Sequence, residues 1–230
     1  MRRATHLAER MDDPACDPAA LARTYGQFAV LNQLVSGWRT AWRVVIAPAA
    51  RRAAEARGAA DVLDVGAGGG DLARRLAGWA AADGIPVRVT GIDPDERALA
   101  YAWSRPAPPN VRFVADDLLD LAERGRRYDL VLSNHVLHHL PEEALLPFLA
   151  ASRAVAREAL LHNDLHRTRW ALPAFAIVSL PFRASFVRED GFTSIRRAWR
   201  PHELAAHLPD GVEVRRPSPF RLWVTGGPAT

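Results

Sequence analysis

Histidines and carboxylates recur in this chain where they could move a proton. His135, His138 and His139 fall together in NHVLHHLP, and His162, Asp164 and His166 fall together in HNDLHRT. An imidazole backed by a carboxylate is a general-base pair, able to draw a proton from a weakly acidic hydroxyl such as a phenol, whose ordinary pKa lies near about 10. His138 and His139 are neighbours, so on a helix they diverge by about 100° and at most one of them faces a substrate. No metal is assigned, because HVLHH matches no established zinc-ligand spacing.

A second set of residues is acidic and glycine-rich. VLDVGAGGGDLARRLA runs a short apolar strand into Gly66, Gly68 and Gly70 and then into an amphipathic helix. Such glycines let the backbone turn sharply and approach a ligand closely. About 20 residues further on, GIDPD places Asp93, followed by Pro94, at the end of a second strand, where an acid can accept hydrogen bonds from ribose hydroxyls. FVADD then places Asp117 at a third strand end, where it, or its neighbour Asp116, could bond an adenine amino group or cap a helix. The series points to a nucleoside ligand. Nicotinamide dinucleotides use G-x-G-x-x-G, but here the third glycine position is Asp71, a carboxylate that would repel a pyrophosphate at the helix start. Asp64-x-Gly66-x-Gly68-x-Gly70 suits instead a ligand without phosphates that carries cationic sulfonium and ammonium groups.

The elements that must position these residues follow from apolar patterning. With 230 residues, 49% of them hydrophobic, the chain can bury one substantial core. Strand candidates at 61–65, 87–92, 111–114, 130–133 and 159–163 alternate with helical segments, which predicts an α/β fold with a doubly wound, mostly parallel sheet. Such a sheet sets the segments after its fourth and fifth strands side by side, so the two histidine groups meet. Ahead of it, Phe28, Leu31, Leu34, Val35, Trp38 and Trp42 have helical spacing within 18–46, and a further helix over 48–57 stops at Gly58. Residues 1–58 are thus expected to form a helical cap and 59–230 the α/β domain. Within the latter, the apolar stretch 170–182, broken by Pro173 and Pro181, belongs to a lid at about 167–200. Asp190, Arg196 and Arg197 in that lid are candidates for hinge or substrate contacts, or for ordinary surface ion pairs. A short helix over 203–208 and an antiparallel hairpin over 212–214 and 220–224 close the chain.

Composition narrows the function further. The single cysteine, Cys16, excludes a disulfide scaffold and a Cys-rich zinc site. All 30 basic residues are arginine, scattered through every segment, and the net charge is only +4, so no nucleic-acid partner is expected. No signal-peptide pattern or membrane-length apolar run is present, and a cytoplasmic location is expected. The sequence sets no oligomeric state.

VLDVGAGGG, GIDPD, FVADD and YDLVLSNHVLHHLP, in that order, resemble the class I S-adenosylmethionine-dependent methyltransferases, with a Rossmann-like domain over roughly 61–163. The resemblance implies S-adenosylmethionine as cofactor. It implies that Gly66, Gly68 and Gly70 surround the methionine part, with Asp64 ordering the loop. Asp93 and Pro94 would lie at the ribose, Asp117 and Leu118 at adenine, and Asn134 and His135 at the sulfonium. The N-terminal TYGQFAVLNQLVSGWRTAWR looks like the cap of ubiquinone and menaquinone methyltransferases, with Tyr25, Asn32 and Arg39 as its polar residues and Arg39 assigned to the cofactor.

The whole chain is similar to actinobacterial methyltransferases associated with type III polyketide synthases, which implies a phenolic, polyketide or quinol-like acceptor, with or without an alkyl tail. Some natural-product O-methyltransferases resemble the histidine arrangement and imply His138 or His139 as base, assisted by Asp164. C-methylation of a quinol and binding without catalysis are the alternatives. SNHV, in place of N/D-P-P-Y/F, argues against amine methylation of nucleic acid or protein. The chain departs from the family in lacking the R-P-G-G turn before strand five, where it reads SRAVAREALL.

Overall fold

The computed structural model describes residues 2–229. Among these residues, seven strands form one sheet in the order β3-β2-β1-β4-β5-β7-β6. Five run parallel: β1 (Ala60–Val65), β2 (Val87–Asp93), β3 (Val111–Ala115), β4 (Tyr128–Asn134) and β5 (Ala156–Leu165). The terminal hairpin, β6 (Val212–Ser218) and β7 (Arg221–Gly226), adds two antiparallel strands beside β5. The expected α/β class, parallel order and closing hairpin are all present, with strands one to several residues longer than the apolar runs alone suggested.

The inner strands are apolar on both faces because helices cover both sides. On one face α3 (Ala47–Arg57), α4 (Asp71–Ala82) and α5 (Glu96–Trp103) supply Ala50, Leu76 and Leu99 to a core with Val62, Leu130 and Leu132 of the sheet. On the other, α6 (Leu118–Glu123), α7 (Glu142–Val155) and α10 (Pro201–Ala205) supply Leu121, Leu149 and Leu204 against Leu63, Val65 and Val131. Strand order reverses between β1 and β4, and the crevice at the carboxyl ends of these strands is where such sheets hold ligands. The register brings Val65 beside Ile92 and Ser133, and Asn134 beside Asn163, so the expected strand ends converge on one edge.

The cap is more broken than its periodicity suggested. Asp17 caps α1 (Pro18–Val35), accepting from the backbone N–H groups of Ala19 and Ala20, with Pro18 in the first turn. Gly37, at φ 72°, then turns the chain into α2 (Trp38–Ala41), which passes through a π-type turn, Trp42–Ile46, into α3. Trp38 and Trp42 are buried as expected, but Leu34 and Val35 point to solvent, because the break at Gly37 ends the face that would have covered them. The lid region is helical: α8 (Ala171–Val178) and α9 (Val187–Arg197) follow β5, and α9 had not been legible as a helix.

Leu132 is 1% exposed within the larger core. Leu132→Ala is expected to lower unfolding stability by about 2–5 kcal/mol, measured by urea denaturation with an unchanged m-value.

Candidate active site

The chain leaves β1 through Gly66, Gly68 and Gly70, with φ angles of 66°, 52° and 74°. Two of these positions are also closed to any side chain: a Cβ at Gly66 would stand 2.6 Å from Val136 Cγ2, and one at Gly70 would stand 2.4 Å from Phe113 Cζ. Asp93 pins the loop to the end of β2, accepting from Gly68 N at 2.8 Å through one oxygen and from Asp95 N at 2.9 Å through the other. A cavity of about 460 Å³ opens above this loop. Asp64, Gly66, Gly68, Asp93, Pro94, Asp117, Leu118, Asn134 and His135 all line it. Gly70 does not reach the wall and serves the turn into α4. Of the two candidate acids after β3, Asp117 lines the cavity and also caps α6 by accepting from Leu119 N, whereas Asp116 turns away to pair with Arg124.

Three carboxylates crowd the loop. Asp64 is 1% exposed, and its Oδ2 has no hydrogen-bond partner. Burial, then the charges of Asp71 and Asp93, drive the Asp64 pKa well above the usual carboxylate range. Burial also raises Asp71, against the pull of Arg75 and Asn32, and raises Asp93, against its two backbone donors. An orphaned buried carboxylate oxygen among acids of raised pKa matches a cationic ligand, and the same field repels a pyrophosphate. S-adenosylmethionine, with its ammonium and sulfonium groups, fits this wall.

At the far end of the cavity, the two histidine groups meet. Asp164 at the end of β5 accepts from His138 N at 2.9 Å and holds His138 Nδ1 at 2.6 Å; both residues are nearly inaccessible to solvent. Burial disfavours the imidazolium, but the charge and hydrogen bond of Asp164, with the nearby Glu9 carboxylate, outweigh it and push His138 up to about 9. Asp164 is correspondingly held well below the usual range: burial opposes this, and the charge and hydrogen bond of His138 prevail. His138 Nε2 has no well-directed hydrogen bond and faces Glu9 Oε1 at 3.4 Å. His139 also lines the cavity, with its Nε2 at 3.7 Å from Glu9 Oε1 and its Nδ1 at 3.4 Å from Asp12 Oδ2. Glu9, His138 and His139 offer ligand atoms within 4.8 Å of one another.

The other histidines have different work. His162 is buried against Phe148 with its Nδ1 at 2.8 Å from Ser133 Oγ, and burial pushes it down to about 3, which makes it a neutral core residue. His166 lies at the hairpin, its Nδ1 on the Pro219 carbonyl. His135 sits in the left-handed region at φ 63°, a strained conformation for a side-chain-bearing residue. Its Nε2 is held by Arg221 Nη1 at 2.7 Å, and desolvation together with the Arg221 charge keeps it neutral. Arg221 also donates to Asn134 Oδ1 and Asn163 Oδ1, so a buried arginine from β7 sets the tips of β4 and β5. Nothing in the sequence marks Arg221, since its partners are brought together only by the antiparallel hairpin.

Among the cap residues, Tyr25 lines the cavity and packs on Tyr101, and Asn32 donates to Asp71 at 3.5 Å. Arg39, expected at the cofactor, is exposed, lies over the Trp79 ring and is absent from the cavity wall, because Trp38 and Ala41 turn the other face of α2 into the core. Asp190 is fully buried and accepts from Arg10 N and Met11 N, Arg197 donates to the carbonyls of His138 and His139, and Arg196 packs on Phe192. Glu9, Met11 and Asp12 thereby enter the cavity wall from an N-terminal segment whose sequence carried no motif.

Comparison with known proteins agrees with this geometry. A family described as a methyltransferase domain matches residues 62–159. An uncharacterized methyltransferase of Mycobacterium tuberculosis (strain H37Rv) is 38% identical over 176 residues, covering 71% of this chain and 85% of that protein. The fold is shared with magnesium protoporphyrin IX methyltransferase of Synechocystis PCC 6803, solved with S-adenosylhomocysteine, at TM-score 0.53 and 20% identity over 81% of this chain and 83% of that one. It is shared also with the plantazolicin methyltransferase, solved with the same molecule, at TM-score 0.56 and 12% identity over 92% and 95% of the two chains. The chain belongs to the class I S-adenosylmethionine-dependent methyltransferases.

Proposed function

We propose that this protein methylates a hydroxyl oxygen of a small phenolic, polyketide-derived or quinol-like acceptor, with His138 and Asp164 managing the proton. The observation that carries the proposal is the buried His138–Asp164 pair, joined at 2.6 Å, whose histidine lines the same cavity as the acidic glycine loop. The relatives of similar fold are named for magnesium protoporphyrin IX and for plantazolicin, so the acceptor class proposed here rests on the histidine end of this cavity.

When bound, S-adenosylmethionine supplies an electrophilic methyl group on a positively charged sulfur. Gly66 and Gly68 would give its methionine part room against the backbone, and Asp64 would meet the cationic end with its unpartnered oxygen. Asp93 and Pro94 would flank the ribose, and Asp117 and Leu118 the adenine. Asn134 and His135, held by Arg221, would border the sulfonium. Holding acceptor and methyl group close and aligned supplies much of the acceleration of an in-line transfer. Asp164 fixes the His138 ring with Nδ1 protonated, which leaves Nε2 as the atom that takes the acceptor's hydroxyl proton while the oxygen lone pair forms the new bond.

Two results follow. Because His138 titrates near 9, its neutral, proton-accepting form grows as pH rises through that value. The kcat/KM for a phenolic acceptor is therefore expected to climb about tenfold per pH unit below about 9 and to level above it. Asp164→Asn should lower the plateau by about 10²–10⁴-fold and move the rise to lower pH, since the carboxylate that orients and charges the ring is gone; a pH-independent rate would remove His138 from the reaction. Separately, Asp64→Asn relieves the repulsion among buried acids. It is expected to raise the melting point of the ligand-free protein by about 2–4 °C, or about 1 kcal/mol, while weakening S-adenosylmethionine binding at least about tenfold.

A further inference from the structure

Glu9 belongs to none of the motifs, yet it is the residue that closes the catalytic end of the cavity. It precedes a single 3-10 turn (Arg10–Asp12), and although it is charged it is only 3% exposed. Its Oε1 accepts from Ser194 Oγ of α9 at 2.8 Å and stands 3.4 Å from His138 Nε2. The segment that carries it is tied down on both sides. Downstream, Asp190 receives Arg10 N at 2.6 Å and Met11 N at 3.1 Å. Upstream, Arg3 donates to the carbonyls of Arg197 and Leu140 and stacks on Trp199. Residues 3–12 thus form a strap laid over His138 and His139, and Glu9 occupies the place next to Nε2 that an acceptor oxygen must take.

We propose that Glu9 is a positioning residue for the base: in the closed strap it occupies the place beside His138 Nε2, and an acceptor hydroxyl reaches that nitrogen only when Glu9 gives way. This inference rests on His138 being the base. When Glu9 withdraws, the imidazolium loses one of its two carboxylate partners, and the fraction of neutral ring, its Nε2 proton passed to water, rises about tenfold for each unit by which the pKa falls. Binding of the acceptor and activation of the base are then a single event.

The groups that face His138 from the surrounding elements support this assignment to Glu9. Asp164 on β5 and Glu9 on the strap are the anions against it. His139 stacks beside it and His135 lies edge-on at 5.9 Å, itself neutral. Arg197 of α9 is bound to the His138 carbonyl, while Arg221 reaches toward it only through His135. Asp12 pairs with His139 and Arg197 at the outer side. Asp164 is fixed within the sheet and bonded to the backbone of His138 and Leu165, so of the two anions in contact with the ring, the one outside the sheet is Glu9.

The test follows the His138 imidazole directly, by NMR of isotopically labelled histidine, in the wild type, Glu9→Gln and Glu9→Asp, each without ligands and with S-adenosylhomocysteine plus a 5-alkylresorcinol. In the ligand-free protein, Glu9→Gln is expected to lower the His138 titration by about one pH unit or more, and Glu9→Asp, which keeps the charge, to restore most of it. Adding the two ligands should bring wild-type His138 down to the Glu9→Gln value and leave the variant unchanged. The rising limb of kcat/KM should move to lower pH in Glu9→Gln by the same interval. Identical His138 titration in wild type and Glu9→Gln would overturn the inference, as would stoichiometric zinc uptake that abolishes the titration. A His138 shift with an unmoved rate profile would leave Glu9 in control of the ring and overturn the base reading alone.

Discussion

Negative charge buried at the carboxyl ends of parallel strands is the condition to which the rest of this molecule answers. Desolvating a carboxylate is unfavourable unless donors or cations meet it. The two edges of the sheet handle this differently. At the start of β4, Asp129 is fully buried and completely matched: Arg57 pairs with it at 2.9 Å, Arg157 at 3.4 Å, and the backbone N–H of Asp61 donates to it. At the other edge, Asp64 keeps an oxygen with no partner, and Asp71 and Asp93 add their charge beside it. The first arrangement completes the fold by itself. The second is completed by a cation in the crevice.

The same edge treats a fourth carboxylate in another way. Asp164 lies as deep as Asp64 but is given a histidine, two backbone donors and a place behind the cavity wall. Its negative charge is carried to the surface of the cavity as a property of His138. One end of the cavity is therefore suited to a positive sulfur compound, and the other holds the His138 that we propose exchanges protons, with Asn134 and His135 between them held by Arg221. The proposed transfer from a methyl donor to a weakly acidic hydroxyl would need that separation of roles. The strained His135 backbone is one local consequence of turning β4 so sharply between the two ends.

Much of this was legible in the sequence because it is local. A strand followed by closely spaced glycines, and an acid ending each of the next two strands, report backbone geometry that the residues dictate themselves, and the parallel order followed from alternating strands and helices. The pairing of His138 with Asp164 was legible as a neighbourhood, since strands four and five adjoin in this topology; which of the two adjacent histidines faces the carboxylate depended on the turn that begins at His135. The remainder depends on contacts between distant segments. Arg39 belonged to a periodic stretch, and only the burial of Trp38 and Ala41 shows that its side chain is carried to the outer surface. Glu9 and Arg221 lie 129 and 86 positions from His138 and His135 respectively, in segments without motifs, and they reach the site through α9 and the hairpin.

The central claim is that the acidic crevice is made for S-adenosylmethionine. It is tested most directly by titrating the purified protein with S-adenosylmethionine and with NAD by calorimetry, alongside Asp93→Ala. The account predicts micromolar-range binding of S-adenosylmethionine, about −8 kcal/mol at 1 μM, lost in the variant, and no binding of NAD. Absence of S-adenosylmethionine binding, or a preference for the dinucleotide, would contradict it and return the glycine loop to an unassigned nucleotide site.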